Sequence, residues 1–187
     1  MTALERQANL LGALALVITD QTAEAVAAAA GQSVSAAAAL SAMHHFLDRP
    51  TLGRLHMVLD LTPSGAVRLV DRLAEAGLVT RGTGEDGRSR SVVLTEAGSQ
   101  AARRIAAARA ELLSGALADL SPAERDALHS LLSRIMATVV QGKGRGAWTC
   151  RLCDISACGR ASGLCPAANA AAAKYAGRGS AMNRPRR

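Results

Sequence analysis

The chain has 187 residues, 49% of them hydrophobic but only 2% aromatic, and a net charge of +7 from 22 Lys and Arg against 15 Asp and Glu. That length suits one core of about 140 residues with an appendage, or two small domains. An aliphatic core favours packed helices over a β-sandwich, and the basic balance points to a polyanionic partner.

The charge is uneven. Acids and bases nearly cancel up to Gln141, whereas beyond it nine bases face only Asp154.

The first predicted element is a long helix over 4–30, ended at Gly31. Alanine runs at 27–30 and 36–39 are strong helix formers. The apolar run 10–18 is too short to cross a bilayer, and Glu5 interrupts any basic leader. It reads as part of a buried helix in a cytoplasmic protein with no membrane partner.

Ser33 caps a second helix to about Leu47, closed by Arg49-Pro50, because the residue before proline resists the α region. Thr51 caps a third over 52–59, with Leu52, Leu55 and Leu59 on one face. After a tight turn at Asp60 and Leu61, Thr62 caps a fourth with Pro63 at its first position. Ala66, Leu69, Val70 and Leu73 face inward along it, and Ser64, Arg68, Asp71, Arg72 and Glu75 lie opposite. Gly77 stops it.

Short β-prone runs at 78–81 and 91–94 flank a turn-rich stretch, which predicts a β-hairpin with a flexible tip. Thr95 opens a fifth helix to about Leu117. Ser121, Pro122 and Glu124 form a capping box for a sixth, which carries Leu128, Leu131, Leu132, Ile135 and Val139 to about Gln141. Gly142, Gly144 and Gly146 form a joint. A short helix is expected over 167–176 and disorder from about Gly177.

Helix, tight turn, helix, hairpin is the order of a winged helix-turn-helix. One amphipathic helix must bury an aliphatic face and offer polar and cationic side chains to the major groove. Arginines at a hairpin tip suit the negative minor groove.

Leu52-Gly53-Arg54-Leu55, the run from Leu61 to Leu73, Gly77-Leu78-Val79 and Leu94-Thr95-Glu96-Ala97-Gly98 together resemble the MarR family of bacterial transcriptional regulators. Asp86-Gly87-Arg88 is similar to that family's D-x-R wing signature. The resemblance spans roughly 4–140. It implies a homodimer on a pseudopalindromic operator of double-stranded DNA, with the first and last two helices interleaved. Carried over by position, Thr62, Ser64, Ala66, Val67, Arg68 and Arg72 contact DNA from the recognition helix. Asp86 and Arg88 do so from the wing, the acid orienting the arginine. Arg90 joins them on charge and location. Arg54, Arg103, Arg104 and Arg109 read as a solvated face.

All four cysteines fall in Cys150-x2-Cys153-x4-Cys158-x6-Cys165, followed at once by Pro166. In a reducing compartment such a group binds metal or does redox work rather than forming disulfides. A zinc knuckle would pair two CxxC motifs, and only one is present. The Cys-Pro step resembles iron–sulfur ligand runs, and the segment is loosely similar to the cluster-binding end of SoxR-type redox regulators, with different internal spacing. An iron–sulfur cluster, 4Fe–4S or 2Fe–2S, is the leading expectation. Zinc and metal-free thiol–disulfide sensing remain alternatives. Arg151 and Arg160 would offset thiolate charge.

His44, His45, His56 and His129 read as ordinary helix residues. With no catalytic triad, phosphate loop or carboxylate pair to assemble, the chain reads as no enzyme. The expected fold is mainly α with a small β-hairpin wing: scaffold helices over 1–48, a winged helix-turn-helix over 49–97, dimerisation helices over 98–142, and a cysteine extension with a basic tail over 143–187. The expected function is a repressor whose operator affinity follows its metal centre through half-site spacing. The alternative is a MarR-type regulator with zinc and a small-molecule effector.

Overall fold

The computed structural model describes residues 2–83, 90–142 and 147–182. Seven α-helices and a two-stranded antiparallel hairpin are present among them. The helices are α1 (Ala3–Ala30), α2 (Val34–His45), α3 (Leu52–Leu59), α4 (Pro63–Glu75), α5 (Glu96–Gly115), α6 (Pro122–Gly142) and α7 (Pro166–Met182). The strands, β1 (Val79–Thr83) and β2 (Arg90–Leu94), lie between α4 and α5.

Local chemistry sets most of the boundaries. Ser33, Thr51, Thr62 and Thr95 each accept a backbone N–H three residues on, satisfying a donor the helix cannot use internally. Ser121 and Glu124 form the reciprocal box expected at the start of α6. Thr2 and Glu5 form another at α1.

Every residue over 36–43 in α2 is buried. This helix is the axle of the fold, and its alanines let α1 and α5 approach closely. Leu40, Leu55, Val58, Leu73, Val79 and Ile105 are fully buried around it. Each such side chain contributes about 1.5–3 kcal/mol on leaving water.

Val79 pairs with Leu94 and Thr83 with Arg90 across the hairpin. Thr51 bridges Ser91, and Val92 donates to the Pro50 carbonyl at 2.9 Å, so the lead-in to α3 forms a third edge. Gly98 sits where α5 crosses the hairpin. A Cβ there would collide with the Leu78 carbonyl oxygen, so only glycine admits this crossing.

Two expectations need correction. The first helix is not buried within the protomer: over 2–21 only Ile18 is less than exposed, and α1 buries only Thr22 and Val26. Leu10 and Leu16 are 69% and 68% exposed. Taken whole, α1 is also long and apolar enough to cross a membrane by length and composition, with a mean hydropathy of 1.4 over an 18-residue window. On α6, Leu131, Leu132, Ile135 and Val139 are exposed too.

The last helix also differs. It runs to Met182, past Gly177 where disorder was expected, because the alanine-rich stretch before it is a strong helix former. Gly144 and Gly146 lie outside the described residues.

Candidate functional site

The DNA-facing candidate is built on α3 and α4. Asp60 takes the left-handed conformation at φ 55° and closes α3, its side chain being one of the few that tolerates it. Leu61 donates to the His56 carbonyl at 3.0 Å, which keeps the turn tight. Thr62 Oγ1 accepts from the Gly65 amide at 3.1 Å and lies 3.4 Å from Ser64 Oγ. Pro63 costs nothing here because its missing N–H has no intrahelical partner.

Ala66, Leu69, Val70 and Leu73 are the buried residues of α4, which leaves Thr62, Ser64, Val67, Arg68 and Arg72 exposed. The first turn therefore presents the Thr62 and Ser64 hydroxyls outward, with a guanidinium one turn on. That end of a helix attracts phosphate oxygens. Ala66 must be withdrawn from the contact set. At 1% exposure it faces the core, in phase with Leu69 and Leu73, and offers a groove nothing.

Arg81 on β1 donates to Asp71 on α4, tying the hairpin to the helix. Arg72 Nε donates to the Arg68 carbonyl at 3.3 Å, so its side chain folds back along α4. An open groove of about 540 Å³ runs beside α4, lined by Ser35, Leu61, Arg68, Asp71 and Arg72 among others. Arg90 is exposed at the start of β2. Asp86 and Arg88 lie outside the described residues.

The cysteine lobe follows α6. A short 3-10 turn, Ala147–Cys150, packs on α3. Cys150 and Cys165 are buried, Cys153 and Cys158 half-buried, and all four are free thiols. Gly159 and Gly163 take φ 61° and 70° around a second 3-10 turn, folding the loop back on itself. Asn169 Nδ2 donates to the Gly163 carbonyl at 2.7 Å and fastens the loop to α7.

The thiols feel one another. Burial pushes Cys153 up first, with Cys150 and Cys165 adding to the rise and Arg109 opposing it. Cys158 is raised by burial, then by the charge and hydrogen bond of Cys165, and by Cys153. Arg160 Nη1 reaches Cys150 Sγ at 3.9 Å. Among the described residues no three His, Cys, Asp or Glu side chains already stand in an arrangement that holds a metal ion. The donor chemistry nonetheless suits a thiolate-held centre: four sulfurs within mutual electrostatic reach and two arginines to offset their charge.

Three contacts here join residues far apart in sequence. Arg109, expected on a solvated face, lines a cleft of about 340 Å³ between α5 and the lobe, with Leu152, Cys153, Asp154 and Cys158. His45 Nδ1 lies 3.9 Å from Asp154 Oδ1. Arg160 lies over Phe46 with its Cζ 6.0 Å from the ring centroid. Of the other arginines set aside, Arg103 pairs with Glu96 on the surface, and Arg104 Nε donates to the Ala29 carbonyl at the end of α1.

Residues 30–89 match the profile of the MarR family. No curated protein matches the chain. Among solved structures, a MarR family protein from Bacillus stearothermophilus is similar at TM-score 0.66 and 21% identity, over 74% of this chain and 98% of that one. MepR, a transcription regulator of the Staphylococcus aureus multidrug efflux pump MepA, is similar at TM-score 0.63 and 15% identity, over 74% of this chain and 99% of its own. A mutant of MepR bound to an oligodeoxyribonucleotide is similar at TM-score 0.53 and 15% identity, over 71% and 97% of the two chains. The fold is thus that of the MarR winged helix.

Proposed function

We propose that this chain is a homodimeric, cytoplasmic DNA-binding repressor of MarR type whose operator affinity is set by a metal centre on Cys150, Cys153, Cys158 and Cys165. The observation that carries the DNA half is the polar first turn of α4, exposed at Thr62, Ser64 and Arg68 above a buried aliphatic face. A DNA-bound relative of the same fold supports it.

The Thr62 and Ser64 hydroxyls, at the positive end of α4, would hold a backbone phosphate. Arg68 would reach base edges or phosphates one turn further along, with Arg72 and Arg90 beside it. Asp86 and Arg88 would enter the neighbouring minor groove from the wing.

The dimer reading rests on aliphatic surface. Leu10, Leu14 and Val17 of α1, and Leu131, Ile135 and Val139 of α6, are uncovered in the protomer, more than a monomer ordinarily exposes. A second copy covering both helices would set two α4 helices against successive half-sites of a pseudopalindrome.

The cofactor reading rests on four electrostatically coupled thiols flanked by Arg109 and Arg160. When bound, an iron–sulfur cluster supplies a redox change, or its own loss, as the signal. Cys150, Cys153, Cys158 and Cys165 would hold it by thiolate, with Arg109 and Arg160 offsetting its charge.

Zinc on the same sulfurs, with a small molecule as effector, is the second reading. The groove beside Arg68 and Ser35 favours it. Metal analysis of anaerobically purified protein separates the two. Brown protein containing iron, with operator affinity that changes on oxidation, supports the cluster. Colourless protein with stoichiometric zinc supports the alternative. Equal operator affinity for loaded, oxidised and metal-free protein would remove metal control altogether.

A further inference from the structure

The cysteine lobe touches both halves of its own protomer. At one end α7 packs along α6, and Lys174 Nζ donates to the Gln141 carbonyl at 2.6 Å. At the other end the turn Ala147–Cys150 packs on α3, and Leu152 packs against the main core. Between them Arg160 bridges Cys150 Sγ and the Phe46 ring. Phe46 is the C-cap of α2, where the chain turns toward α3.

The α3 helix in turn packs on α4. A path therefore leads from the sulfurs through Arg160 to Phe46 at the end of α2, and from α2 through α3 to the DNA-facing helix.

We propose that the cysteine lobe is a strut between α6 and the α2–α3 corner, and that Arg160 is the positioning residue that joins the sulfurs to that corner. The strut fixes the angle of α4 relative to α6 within one protomer. This rests on the metal-control reading and deepens it, because it assigns the route: a change at the sulfurs acts on the support of α4 directly, in addition to any change between the two copies.

A guanidinium can serve both partners at once. One nitrogen reaches the sulfur while the central carbon lies over the aromatic ring. Lysine keeps the first and loses most of the second.

Amide hydrogen exchange of the full chain tests this without any DNA. In the reduced, metal-free protein, Arg160→Ala should speed exchange over 52–59 about fivefold, the factor that a contact of cation–π strength supports. Exchange over 3–20 should be unchanged. Arg160→Lys should recover part of the protection, and Phe46→Leu should add little on top of Arg160→Ala.

Zinc alone is then added to each protein. Wild type should gain protection over 52–59 on binding, whereas Arg160→Ala, brought to the same zinc occupancy, should gain none there. Unchanged exchange over 52–59 in Arg160→Ala overturns the strut, as does stoichiometric zinc binding without added protection in wild type. Failure of zinc or iron to bind at all, with the fivefold effect of Arg160→Ala intact, sinks the metal reading and upholds the strut.

Discussion

Arg81 in the first strand of the hairpin donates a hydrogen bond to Asp71 in α4, joining the two elements of the candidate DNA-binding surface. The pair is partly exposed, so its worth to stability is small. Its worth lies in geometry, since both elements must meet the same duplex. Asp71→Asn should leave stability within about 1 kcal/mol of wild type while weakening operator binding. Thermal melts and fluorescence anisotropy on one preparation check the split, and a parallel loss in both would assign the pair to folding alone.

Arg68 and Arg88 are the cations proposed to meet DNA. Replacing either by Ala should lower the salt slope of operator binding by about 1 for each phosphate that is no longer neutralised. A base-reading arginine would instead relax sequence preference on removal and leave the slope unchanged. Affinities measured across a salt series on operator and on scrambled DNA distinguish the two. No change in either measure would remove the residue from the interface.

Gly98 should be among the least tolerant positions. A methyl there meets backbone, which cannot rotate away as a side chain can. Gly98→Ala should destabilise by about 3 kcal/mol, the upper range for overpacking, and push α5 off the hairpin. Denaturant melts give the value, and a loss under about 0.5 kcal/mol would mean that the crossing relaxes freely.

The thiols carry a pH signature. Burial and neighbouring sulfurs raise Cys153 and Cys158 above the ordinary thiol value of 9.0. The folded chain then binds more protons than the unfolded chain in the window above that value. Their contribution is fully present below it and is lost as pH rises through the folded values. Metal loading runs the other way, because ligands must lose protons to bind. Alkylation of the metal-free protein should climb about tenfold per pH unit and still be rising at the ordinary thiol value. A plateau near neutral pH would contradict the raised values.

Assembly should depend on the aliphatic flanks of α1 and α6. Leu14→Glu or Ile135→Glu places a charge on that surface, where covering it without a partner is strongly unfavourable. Sedimentation should show monomers in place of dimers, with operator affinity falling at fixed protein concentration. Persistence of the dimer in both variants would move the interface elsewhere.

What could be read from sequence was local. The caps at Ser33, Thr51, Thr62, Thr95 and Ser121 act within a few residues, and all make the expected bonds. The inward face of α4 follows from helical phase alone, and the structure buries Ala66, Leu69, Val70 and Leu73 as expected. The same phase shows why Ala66 was misplaced as a contact: a position carried over by resemblance took precedence over its orientation.

The rest depends on contacts no local pattern encodes. His45 and Asp154, Arg160 and Phe46, and Arg109 and Cys153 meet only once the extension folds back against α2, α3 and α5. The exposure of α1 was hidden for a related reason, since an apolar helix reads alike whether its cover comes from its own chain or from another.

That uncovered aliphatic flank has a thermodynamic consequence. If folding is completed only when two protomers meet, the melting point is not a property of the sequence alone but rises with the amount of protein present. On the proposed reading, dilution would then loosen the dimer and release its operator together, so cellular abundance would become a second input to the switch.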